Sequence, residues 1–195
     1  MPRKIGIWGG SFDPVHVGHL ILAQEAVAAC RLDRLIWVPS GDPPHKVGPV
    51  ASCDDRVCMV ERAVDGQASF SVSRIEVDRC GKSYTVQTLE DIRRAECTEG
   101  DQLYLLIGAD NAVDFVNWQD PDRVMDLAEI VVLNRPGSTR ESIPDFLSQR
   151  MLFLDTPLFD VSSTAIRKRL REGMSIQYWV PDSVRGLIET RRLYV

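Results

Sequence analysis

The sequence of 195 residues predicts an α/β fold: a Rossmann-like doubly wound parallel sheet with flanking helices and a C-terminal helical segment. Three observations carry that expectation. Short Ile- and Val-rich runs, apolar at successive positions, read as strands buried on both faces. Segments of helical period separate them, the alternation that strand-helix-strand units produce. A glycine pair follows the first run directly and precedes the first helical segment, where doubly wound folds admit a phosphate.

In chain order, the first strand is expected at residues 4–8 and ends at Gly9-Gly10, and helical period begins at 17–30. Strands at 34–38 and 70–77 enclose a helix at 54–65. Residues 40–53 hold Gly41, Pro43, Pro44, Gly48 and Pro49, too many breakers for a regular element, so a long loop is expected there. A helix at 84–96, a strand at 102–107, a helix at 120–127 and strands at 129–133 and 151–154 complete the alternation. Two helices close the pattern, at 163–172 and 181–192. Gly173 suits the left-handed position past a helix end, and Pro181 suits a first helical position. The length predicts a single domain over residues 1–195.

Composition narrows the function classes. A formal net charge of -5 argues against a chain that coats nucleic acid or an anionic membrane. The charge is uneven, net +3 over residues 160–195 against -8 elsewhere, which fits either a solvated helix face or a local anion site. Cys30, Cys53, Cys58, Cys80 and Cys97 form an odd set without a C-x-x-C pair, neither a disulfide framework nor a zinc-ribbon pattern. The apolar stretch at 5–8 stops at the glycine pair, and no run approaches the length of a membrane span, so a cytoplasmic location is expected.

The first chemical motif is Gly9-Gly10-Ser11-Phe12-Asp13-Pro14-Val15-His16-Val17-Gly18-His19. Its glycines allow close approach of a phosphate or sugar, and His16 and His19, three apart, share one face of a helix as ring N–H donors to one anion. A zinc reading lacks a third ligand at suitable spacing. The stretch resembles the G-[TS]-F-D-P-x-H-x-G-H signature of the nucleotidyltransferase superfamily that also contains class I aminoacyl-tRNA synthetases. The resemblance implies nucleoside triphosphate binding, with both histidines on the triphosphate. A second stretch, Val161-Ser162-Ser163-Thr164-Ala165-Ile166-Arg167, opens a helix with serines placed to cap it and is similar to the I-S-S-T-x-I-R motif of bacterial adenylyltransferases. It would make the basic tail part of the triphosphate site.

The middle of the chain selects the acceptor. Pro43-Pro44-His45-Lys46, Gly81-Lys82-Ser83-Tyr84-Thr85-Val86, Gly108-Ala109-Asp110 and Trp118 resemble the bacterial nicotinate-nucleotide adenylyltransferase family, and the resemblance runs nearly end to end. It implies transfer of the adenylyl group of ATP to nicotinate mononucleotide, with Mg²⁺ carried by ATP and no dedicated protein metal site. Gly9, Gly10, Ser11, Phe12, His16, His19, Gly108, Asp110, Ser163, Thr164 and Arg167 would meet ATP, with His16, His19 and Arg167 as the catalytic group. Ser40, Lys46, Thr85 and Trp118 would meet nicotinate mononucleotide. The acceptor is a phosphate monoester, already anionic, so no side-chain nucleophile is required. Two other readings share parts of the pattern. A phosphopantetheine adenylyltransferase has both terminal motifs but leaves PPHK, SYTV and Trp118 unexplained, and a nucleotide-binding sensor does not need His16, His19 and Arg167 together. Sequence leaves a homo-oligomer open.

Overall fold

The computed structural model describes residues 2–42, 50–79, 81–134 and 143–195. Six strands, β1 (Lys4–Gly10), β2 (Arg34–Pro39), β3 (Phe70–Val72), β4 (Gln102–Gly108), β5 (Glu129–Leu133) and β6 (Met151–Leu154), form one sheet. Their order is β3-β2-β1-β4-β5-β6, and every pairing is parallel. The chain therefore builds outward from β1 in one direction, then returns to lay β4 on its other side. That switch opens a crevice at the carboxyl ends of β1 and β4.

Alternation along the strands sends successive apolar side chains to opposite faces. Trp8, Leu35, Trp37, Tyr104, Leu106 and Val131 pack beneath α1 (Val17–Cys30), α2 (Cys53–Val64), α7 (Ser163–Arg171) and α8 (Asp182–Arg191). Ile5, Ile7, Ile36, Val38, Leu105 and Ile107 pack beneath α3 (Thr85–Glu96), α4 (Ala109–Val113) and α5 (Pro121–Leu127). Each such aliphatic side chain contributes about 1.5–3 kcal/mol when fully buried. The two layers hold the strand ends, and the loops that leave them, in fixed positions.

Helix ends follow local chemistry. Ser52 accepts from the Asp55 N–H to cap α2, and Asp120 accepts from the Arg123 N–H to cap α5, whose first residue is Pro121. The helices thus begin or end within a residue or so of the sequence expectation. Two differences are larger. The strand expected at 70–77 stops at Val72, because the β2 partner strand ends at Pro39, which has no N–H to extend the ladder. Residues 75–77 form a turn instead. Three short elements carry too little pattern to read from sequence: α4, a 3-10 turn at Phe115–Asn117, and α6 (Asp145–Ser148). Among the described residues no helix is long and apolar enough to cross a membrane.

Candidate active site

The turn after β1 places both histidines at the mouth of the crevice. His16 lies one residue before α1 in extended conformation, not on the helix, and only His19 is helical. The rings still meet, stacked with centroids 3.7 Å apart. The His16 backbone N–H donates to His19 Nδ1 at 3.2 Å. Because Nδ1 accepts, the His19 proton resides on Nε2, which makes that edge the donor toward a ligand. Trp8 and Phe12 pack edge-on to the His19 ring at 5.6 and 5.2 Å and fix its plane.

Asp13, only 3% exposed, organises the same turn. It accepts from the Val50 N–H (2.8 Å), the Ala51 N–H (3.1 Å) and the Tyr194 hydroxyl (2.7 Å). Arg167 reaches it from α7, with a guanidinium N–H donating to the Asp13 carbonyl at 2.7 Å and a carboxylate oxygen 3.7 Å away. Ser163 Oγ donates to the Pro14 carbonyl at 2.8 Å. The two motifs, some 150 residues apart, are therefore bonded to each other directly. The cap of α7 is Ser162, which accepts from the Ala165 N–H, so Ser163 is a tether and not a cap.

Around these groups lies a cavity of about 500 Å³. It is lined by Gly9, Gly10, Ser11, Phe12, His16, His19, Gly108, Asp110, Ser163, Thr164 and Arg167, so every residue expected to meet ATP faces this space. The rest of the basic tail does not. Arg169 lies over the Trp179 ring, Lys168 pairs with Glu172, Arg185 with Asp182 and Glu189, and Arg191 with Asp55. Arg167 is the one basic side chain among the described residues that lines the cavity, so the tail charge is mostly spent in surface pairs.

A second cavity, about 220 Å³, opens on the other side of the Gly9-Ser11 turn. Ile7, Val38, Leu105, Ile107 and Trp118 give it apolar walls, and Ser40, Ser83 and Thr85 give it hydroxyls. The Ser40 and Ser83 hydroxyls are buried without a hydrogen-bond partner among the described residues. Trp118 rests on Phe115, ring centroids 5.0 Å apart. Lys46, expected at this pocket, falls outside the described residues.

Two buried ionisable side chains that sequence reading passed over shape this second cavity. Arg56 is fully buried and donates to the Ser11 carbonyl (2.8 Å) and the Ser40 carbonyl (2.6 Å), pinning the turn after β1 to the turn after β2. The available signal was its place on the apolar face of α2, one turn from Val60. Glu76 accepts from the Thr88 hydroxyl at 2.8 Å. Burial pushes its carboxyl up, against opposing pulls from Thr88, Arg79, the Gly41 backbone and Arg56. Gly41 is required here for space, since a Cβ would sit 2.2 Å from the Glu76 carbonyl oxygen. Among the described residues no three His, Cys, Asp or Glu side chains converge on a common point as metal ligands.

Comparison with known proteins agrees with this geometry. The cytidylyltransferase-like family profile matches residues 7–169. A Desulfitobacterium hafniense protein named "Probable nicotinate-nucleotide adenylyltransferase" is 41% identical, covering 99% of this chain and 96% of its own. A Thermus thermophilus protein of the same name is 44% identical, covering 98% and 99%. Among solved structures, the Plasmodium falciparum nicotinic acid mononucleotide adenylyltransferase complexed with NaAD superimposes with a TM-score of 0.78 at 15% identity, over 98% of this chain and 97% of that one, a likeness of fold. A six-stranded parallel sheet of the same fold, both terminal motifs and full-length relatives together place this chain in the nicotinate-nucleotide adenylyltransferase family of cytidylyltransferase-like proteins.

Proposed function

We propose that this enzyme transfers the adenylyl group of ATP to nicotinate mononucleotide, giving nicotinate adenine dinucleotide and pyrophosphate, a step of NAD biosynthesis. The observation that carries the reading is the pair of cavities meeting at the Gly9-Ser11 turn, one polar and holding His16, His19 and Arg167, the other apolar-walled with buried hydroxyls. The larger takes ATP. The smaller takes the acceptor, with Trp118 against the pyridine ring and Ser40, Ser83 and Thr85 offering hydroxyl donors to its polar groups.

In the reaction an acceptor phosphate oxygen forms a bond to the α-phosphorus while the bond from that phosphorus to the bridging oxygen breaks, and the electron pair leaves with pyrophosphate. The chain supplies alignment and charge neutralisation. His19 donates from Nε2, His16 stacks behind it, and Arg167 supplies positive charge from α7. Mg²⁺ enters as part of the MgATP substrate and shields the phosphates. The deeply buried Arg56 and Asp13 hold the two substrate turns and α7 in register.

Mass analysis of a reaction of MgATP with nicotinate mononucleotide tests the reading. The expected products are one dinucleotide and one pyrophosphate per turnover. Adenylylation of phosphopantetheine, with release of pyrophosphate, and none of nicotinate mononucleotide would replace it.

A further inference from the structure

We propose that Asn111 is a catalytic residue that touches both substrates, its amide donating to phosphoryl oxygens at the point of transfer. This rests on the reading that one cavity takes ATP and the other the acceptor mononucleotide. Only four described residues line both cavities: Gly9, Gly10, Ser11 and Asn111. Two of them have no side chain. Ser11 adds a single hydroxyl, and its carbonyl is already committed to Arg56. Asn111 is thus the one residue at the seam whose side chain carries N–H donors.

Its position is rigidly set. Asn111 follows β4 within the first turn of α4, between the buried Ala109 and Ala112. The side chain is half-buried, and it makes no hydrogen bond to a described residue. A carboxamide offers two donors without charge. Two phosphate groups that must approach each other for the new P–O bond benefit from a donor shared between them, since it opposes their mutual repulsion. A neutral donor does this without holding either anion tightly in the ground state.

Steady-state kinetics of Asn111→Ala and Asn111→Asp, with calorimetric binding of each substrate alone and thermal melting, tests the proposal. The expected result is a kcat lowered about 10²-fold in the alanine variant. The isosteric Asp variant falls further, because it faces two polyanions with a carboxylate. In the alanine variant, binding of ATP alone and of nicotinate mononucleotide alone stays within about threefold of the parent, with melting unchanged. A kcat near the parent value in both variants overturns the proposal. So does a loss confined to the KM of one substrate, which would place Asn111 in a single cavity. A parent enzyme that forms no dinucleotide fails the functional reading itself, and the seam role falls with it.

Discussion

The Tyr194 hydroxyl donates to Asp13 Oδ1 at 2.7 Å and closes the turn after α8 onto the loop after β1 across 181 residues of sequence. Asp13 in turn holds the Val50 and Ala51 N–H groups at the end of the long loop. One carboxylate therefore joins four distant segments, counting α7 through Arg167. Burial, then the bond to Asp13, pushes the Tyr194 phenol far above its ordinary value, so it remains a donor throughout the working pH range. Tyr194→Phe removes a hydrogen bond to a charged group, which is worth about 1.5–3 kcal/mol. The expected outcome is a lower urea midpoint with an unchanged slope. A midpoint equal to the parent's would show that the closure contributes nothing.

Arg56→Lys keeps the charge but gives up the planar fork that spans the Ser11 and Ser40 carbonyls. At least one buried acceptor is left without a donor, a loss of about 1–3 kcal/mol. Both substrate turns loosen together, so KM rises for ATP and for the acceptor. Urea titration and two-substrate kinetics on the same preparation check it, and an effect on only one KM would contradict the pinning role.

Stability responds to pH with opposite sign at two carboxylates. Glu76 is raised by burial, so the protonated form is favoured in the folded state, and its contribution is complete below the unfolded value and lost as pH rises through the folded one. Asp101 is held well below the usual carboxylate range by the Arg3 guanidinium and the Thr98 and Arg3 N–H groups, so its contribution is lost only as pH falls toward strong acid. Between about pH 4 and about pH 8, Glu76→Gln should gain in melting temperature relative to the parent as pH rises. A constant difference across that range would show that Glu76 does not titrate differently in the two states.

His19→Ala should retain the fold and lower kcat by about 10²-fold, the scale for losing one preorganised donor to transition-state charge. The His16 N–H loses its acceptor at the same time, so a small drop in melting temperature accompanies it. Near-parental turnover with normal melting would remove His19 from the machinery.

The sheet was legible because buried parallel strands write themselves as unbroken apolar runs, and Ile5 to Trp8 and Leu103 to Ile107 do so. The residues expected to meet ATP could be picked out because they cluster in three short stretches, 9–19, 108–110 and 163–167, and these stretches line one cavity. The roles of Asp13, Arg56 and Glu76 escaped notice for a different reason. Their partners lie far off in the chain, as with Arg56 to Ser11 and Asp13 to Tyr194, and no local spacing encodes such contacts. The strand expected to reach Val77 was misjudged because its length is limited by Pro39 on a neighbouring strand, a constraint absent from its own residues.

Acceptor choice tests the two-cavity account most directly. Nicotinate carries a carboxylate where nicotinamide carries a neutral amide, and the small cavity presents hydroxyl donors without a lysine or arginine side chain among its described lining residues. Leaving such donors unpaired costs roughly 1–3 kcal/mol, which corresponds to at least about tenfold in kcat/KM. Competition kinetics with MgATP and equal concentrations of the two mononucleotides, run on the parent and on Trp118→Ala, is the measurement. The account predicts at least a tenfold preference for the acid and, in the variant, a KM raised for the acceptor much more than for ATP. Equal use of both mononucleotides, or a variant whose ATP KM moves instead, would contradict it.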